Sequence, residues 1–271
     1  MQRIARIWDR IYDGHRICAL VGALSVLMAI AFCLLGEWDD RVLQGVNIWL
    51  KPTKFAISLV IFIWTIALLL PLYPYSDRKK RWMGNAIAWI LLAEVVIIAV
   101  QAWRGELSHF NQSTQLNRSL FMLMGTGVAI VSVFLAWMGT DTFRKPMNAS
   151  PVVVRSLQFA LVAAVMACFG GGMMGSQLQH SVGVADGGEG LPIVNWSLQG
   201  GDLRVMHFFG LHALQILPLT ALVLDRRKAG QSWLTSLQWM NIIGLLYVSF
   251  VVYTFVEALL GHPFLRILLL P

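Results

Sequence analysis

The apolar residues of this chain fall in long unbroken blocks, neither the alternation of a half-buried strand nor the single stripe of a soluble helix. A bilayer core needs about 20 consecutive apolar residues per helix. Seven blocks meet that length, at about 17–36, 53–74, 82–103, 119–140, 151–174, 203–224 and 233–260. The last is longer than one span requires and is expected to tilt or to run past the hydrocarbon. Ahead of the first block, Ile4, Ile7, Trp8 and Ile11 keep i, i+3, i+4, i+7 spacing, while Arg3, Arg6 and Arg10 lie off that stripe. This predicts an interfacial amphipathic helix over 1–16. The linkers leave no room for a separate soluble domain. The expected fold is therefore all-α, a single polytopic membrane domain over 1–271 with seven transmembrane helices.

Composition agrees with the pattern. Of the 271 residues, 57% are apolar and 13% charged, against roughly 25% charged in ordinary soluble domains. The basic residues are also unevenly placed. The N-terminal segment, the 75–81 loop, the 141–155 segment and the 225–232 loop together carry 14 of the 21 Lys and Arg residues. The alternate segments carry the other 7: Arg41, Lys51, Lys54, Arg104, Arg118, Arg204 and Arg266. Strict alternation across seven spans matches the positive-inside rule, which predicts a cytoplasmic N-terminus and an outer C-terminus. The net charge of +7 then resides mostly in short cytoplasmic loops, where anionic headgroups attract it. The expected partner is the lipid bilayer of the bacterial inner membrane, with a small-molecule or lipid ligand and no nucleic acid. A cleaved signal peptide is not expected, because the first apolar block is as long as a span and no small-x-small site follows it. Cys18, Cys33 and Cys168 lie in or beside spans and form no disulfide framework.

This orientation sorts the chemistry by side. The cytoplasmic loops read as plain connectors, but five of the six histidines (His109, His180, His207, His212 and His262) fall on the outer side or in the outer half of the membrane. The loop between the fifth and sixth blocks is about 27 residues long and has six glycines within 183–201, which suits a lid or a backbone-lined cavity. Glu94 lies ten residues before Arg104, and His212 ten residues after Asp202. Each is thus about 15 Å in from its outer helix end. An ionisable group at that depth marks a functional site by default. Glu94 and Asp202 are the candidate catalytic acids. His207 and His212 are candidate cofactor ligands and, with His109, candidate metal ligands. Arg104, Asn111, His180, Arg204, Gln215 and Glu257 are candidate substrate or lid residues.

Plainer roles stand beside these. Asp202 also suits the N-cap of the sixth helix, with Arg204 as its ion-pair partner or a headgroup contact. His207 and His212 are separated by about 140° around a helix, so each needs partners from elsewhere to hold one metal. Either also fits a core histidine hydrogen-bonded across helices, whereas His212 and Gln215 share a face. His109 fits an exposed turn with Ser108 and Asn111 making local bonds. Gly170, Gly171, Gly172 and Gly175 suit close helix contact or a hinge.

Arg104-Gly105 with Ser108-His109-Phe110-Asn111, and Gly201-Asp202-Leu203-Arg204 with His207-Phe208 and Leu211-His212-Ala213-Leu214-Gln215, resemble a family of bacterial seven-helix membrane proteins without an established function. That resemblance implies the topology and no activity. The chain also loosely resembles membrane hydrolases of the ceramidase and adiponectin-receptor type, which use histidines, an aspartate and zinc. It departs from them in the i, i+5 spacing of His207 and His212. The expected function is a membrane enzyme, hydrolase or oxidoreductase, holding a divalent metal or haem at a His/acid site open to the outer side. The alternatives are a transporter, channel or small-molecule receptor using Glu94 and His212 as a buried polar pair, or an assembly subunit docking a partner through its outer loops.

Overall fold

The computed structural model describes residues 2–226 and 233–266. Arg227 and Lys228, two of the basic residues counted for orientation, lie outside the described residues. Eight α-helices follow in order: α1 (Gln2–Gly14), α2 (Arg16–Trp38), α3 (Leu50–Leu69), α4 (Asp77–Trp103), α5 (Gln115–Arg144), α6 (Pro151–Gln177), α7 (Leu203–Arg226) and α8 (Trp233–Leu259). Among the described residues, seven of these are long and apolar enough to cross a membrane, and they match the seven apolar blocks. The chain divides into two compact units, 1–131 and 132–271, with the boundary inside α5.

In the first unit, α2, α3 and α4 pack through small residues. Gly22 lies against the Trp64 indole, where a Cβ would collide, and Trp64 Nε1 donates to the Ala19 carbonyl at 3.2 Å. Ala19, Ala56, Ile63, Ile66, Ile87 and Ala88 of these helices are fully buried. The N-terminal helix α1 forms as its periodicity predicts. Ile11 is buried and Ile7 exposed, and Trp8 meets Trp64 edge-on at 6.3 Å. His15 separates α1 from α2. Its backbone is extended, and its Nδ1 accepts from the Cys18 amide as the N-cap of α2. A short antiparallel hairpin, β1 (Val42–Leu43) with β2 (Val46–Asn47), joins α2 to α3. Its turn places both Gln44 and Gly45 at positive φ, as a tight two-residue hairpin turn requires.

In the second unit, α7 lies tightly on α6. Gly210 faces the Ala163 carbonyl and the Ala167 methyl so closely that a Cβ has no room. Helix α8 joins through Tyr247, whose hydroxyl donates to the Phe209 carbonyl at 2.8 Å, and through Gly244 against the Phe159 ring. The long loop from Leu178 to Gly200 is ordered by two pairings. Ser181–Val182 (β3) pairs antiparallel with Gly201–Asp202 (β4), and Gly190 bridges to Ser197.

Candidate functional site

The polar residues of the first unit converge where the α4–α5 loop folds. Gly105 turns the chain at φ +73°, and Glu106 N–H returns to the Gln101 carbonyl. Gln101 and Asn117, both fully buried, face each other, with Gln101 Nε2 donating to Asn117 Oδ1 at 3.0 Å and to the Leu107 carbonyl at 3.2 Å. Arg104 Nη1 donates to both their side-chain oxygens. Asn111 Nδ2 donates to Glu106 Oε2 and to the Leu107 carbonyl, and its Oδ1 accepts from Ser113 N–H. The turn bonding expected of Asn111 is therefore present, inside a larger network that fixes the loop.

This network turns the loop back between the helices. Glu94 lies nine residues before the end of α4, about 13 Å deep, yet His109 Nε2 comes within 3.6 Å of its Oε1. The ring of His109 is surrounded by Phe55 of α3, Phe110, and Phe121 of α5, at centroid distances of 5.6, 6.1 and 6.2 Å. Ser108 Oγ is 3.1 Å from its Nδ1. His109 is thus a partly buried partner of a buried carboxylate rather than an exposed turn residue. An ionisable side chain at that depth costs several kcal/mol unless paired, and the folded loop supplies the pair.

A second cluster anchors the ends of these helices. Asp39 accepts from Arg41 Nε and Nη2 at 2.9 and 2.7 Å and from Trp49 Nε1 at 2.9 Å. These bonds, Arg41 first, hold its carboxyl well below the usual carboxylate range, and the same bonding raises Arg41. Arg41 Nη1 also donates to the Trp103 carbonyl at 3.0 Å, satisfying a carbonyl at the end of α4.

In the second unit, Asp202 is 1% exposed and works as the N-cap its position predicts, accepting from Arg204 N–H at 2.9 Å. Arg204 pairs with it through Nε and Nη2 and reaches the Asn195 carbonyl. Asp202 also accepts from Ser197 N–H at 2.9 Å. His180 Nδ1 lies 3.2 Å from Asp186 and 3.9 Å from Asp202, while Asp186 accepts from the amides of His180 and Ser181. The two aspartates therefore clasp both ends of the long loop to the start of α7. His180, Ser181, Asn195, Ser197 and Arg204 line a small crevice beside it.

The α7 histidines are anchored separately. His207 Nδ1 is 2.8 Å from the Ala167 carbonyl of α6. A carbonyl only accepts, so Nδ1 carries the proton. His212 Nδ1 lies 3.1 Å from Gln215 Oε1, the shared face expected of that pair. Glu257 Oε2 pairs with His262 Nδ1 at 3.0 Å. Glu94 and His212 belong to different units, and each has a partner in its own. Among the described residues, no group of three or more His, Cys, Asp and Glu side chains is placed to hold a metal ion. His109 belongs to the first unit and His207 and His212 to the second.

Sequence reasoning did not single out Gln101, Glu106 and Asn117, nor Phe55, Phe110 and Phe121 as a group. Gln101 had a readable signal, an uncharged polar residue inside an apolar block. The phenylalanines had none, being ordinary in spans. Comparisons with protein-family models, with curated proteins and with solved structures found no match. Fold and composition define a class, an all-α protein whose described residues include seven helices long and apolar enough to cross a membrane.

Proposed function

We propose that this chain is a bacterial inner-membrane protein with its N-terminus in the cytoplasm and its C-terminus outside. In this reading the Glu94–His109 pair is a polar site reached from the outer side. It serves a transporter, channel or small-molecule receptor. The observation behind this is the 3.6 Å approach of His109 Nε2 to Glu94 Oε1, made by a loop folded into the helices. A carboxylate and an imidazole 3.6 Å apart are a proton acceptor and donor that one bridging water or a small closure brings within proton-transfer reach. The likeness of the chain's motifs to seven-helix proteins without an established function is consistent with this topology.

Proteoliposomes on a solid-supported membrane test the reading. A pH jump should give a transient charge displacement in the wild type that is absent in Glu94→Gln and His109→Ala. Full displacement in folded Glu94→Gln would overturn it.

A second reading keeps His207 and His212 as haem or metal ligands. The favouring observation is that both rings are oriented through Nδ1, as ligating histidines commonly are. A metal analysis and a visible spectrum of protein purified without chelator decide it. Colourless, metal-free protein would count against it.

A further inference from the structure

The surroundings of His109 have the chemistry of a cation cage. Phe55, Phe110 and Phe121 all lie near the distance, about 6 Å, at which a ring face attracts a cation, with centroids 5.6–6.2 Å from the imidazole. Phe110, beside His109 on the loop, meets Phe121 edge-on at 5.6 Å. Glu94 supplies a buried carboxylate at 3.6 Å. Phe55 already faces one ammonium, since Lys51 Nζ lies 5.9 Å from its centroid. One carboxylate and the helix-borne rings of Phe55 and Phe121 beside a five-membered ring match a small organic ammonium ion in size and charge.

The imidazole is carried by a segment held through a few side-chain bonds. His109 sits on a loop rather than a helix. Its neighbour Phe110 is held at φ +62°, a conformation that non-glycine residues rarely adopt and that persists only where the surroundings enforce it. Those surroundings are the side-chain bonds of Gln101 and Asn111 to the Leu107 carbonyl. Breaking them frees the segment bearing His109 while Glu94, Phe55 and Phe121 stay on their helices.

We infer that His109 is a built-in occupant of a cation site, and that a small organic ammonium ion binds between Glu94, Phe55 and Phe121 when the α4–α5 loop lifts. This rests on the reading of the Glu94–His109 pair as a ligand-accepting site, and it adds the class of ligand.

Equilibrium dialysis of radiolabelled tetramethylammonium against full-length protein in nanodiscs tests it. Wild type should bind saturably. His109→Ala, which empties the seat, should bind about tenfold tighter, and adding Phe55→Leu or Glu94→Gln to it should weaken binding about tenfold, the scale of a desolvated cation–π or charge contact. No saturable binding by folded His109→Ala, or binding indifferent to both added substitutions, would overturn the inference. If His109→Ala does not fold, His109→Ser, which also empties the seat, is judged by the same thresholds. The charge-displacement assay separates the two ideas. Displacement lost in Glu94→Gln without ammonium binding refutes only the ligand class. Ammonium binding with displacement intact in Glu94→Gln refutes only the proton reading.

Discussion

His15 caps α2 by accepting a hydrogen bond at Nδ1 from the Cys18 amide, a role open only to the neutral ring. Burial pushes its pKa below the ordinary 6.5, partly opposed by the backbones of Arg81 and Lys80. A histidine whose folded pKa is depressed contributes its stability fully above the unfolded value, and that stability falls as the pH drops from 6.5 toward the folded value. Wild-type protein should therefore lose thermal stability between about pH 7 and pH 5 relative to His15→Asn, which keeps an acceptor that does not titrate. Parallel melting curves of the two across that range would refute the assignment. Asp202 makes a second residue-scale case. Its buried carboxylate accepts from Arg204, Ser197 N–H and its own helix start. Asp202→Ala should cost on the order of 3 kcal/mol, the scale for breaking a buried ion pair, and should speed protease cleavage within 183–200. Unchanged melting and cleavage would show that the clasp is ornamental. The cap and its arginine were legible in the sequence because both partners sit within two residues of each other. The pairing of Glu94 with His109 was not, because it depends on a loop folding back, and periodicity says nothing about the path of a loop.

At the scale of elements, helix contacts here depend on where glycines meet a neighbour. Gly210 presses against the Ala163 carbonyl and Ala167 of α6, whereas Gly172 of α6 has nothing within 4 Å of where a Cβ would stand. Gly210→Leu should destabilise the protein by about 1–3 kcal/mol through overpacking. Gly172→Leu should change it by no more than about 0.5 kcal/mol. Thermal unfolding in one detergent compares them directly, and equal losses would mean that these glycines act through something other than close approach. The Gly170–Gly175 run was read as a contact stripe or a hinge. Gly170 and Gly171 do meet Met206 and His207, while Gly172 and Gly175 face open space. A run of small residues announces that a close contact exists, but the helix phase set by the partner decides which members make it. The seven long apolar helices were legible to within about five residues at each end, since hydropathy and length are properties of one segment alone. The β1–β2 hairpin was not, because its strands have only two residues each. They are held by Asn47 and Asp39 across the turn rather than by an alternating pattern.

At the scale of the whole molecule, orientation is the property on which the proposed function turns. A proton or ammonium site between α4 and α5 serves import, export or sensing according to the side from which it opens. The argument is electrostatic. Short loops rich in Lys and Arg resist translocation, and Arg78, Lys79, Lys80 and Arg81 stand in one short segment at the start of α4. The loop at the other end of that helix, 104–114, carries Arg104 alone among Lys and Arg. One helix thus bears opposing signals at its two ends, and accessibility along it reads the orientation without reference to the rest of the chain. After Cys18, Cys33 and Cys168 are replaced by serine, single cysteines at Asp77→Cys and Gln112→Cys, both at exposed positions, can be labelled in intact cells with a membrane-impermeant maleimide. Gln112→Cys should react from outside, and Asp77→Cys only after the inner membrane is opened. The reverse pattern would place the Glu94–His109 site on the cytoplasmic side. The proton and ammonium experiments would then have to be repeated from that face, with the pairing chemistry unchanged and its physiological direction inverted.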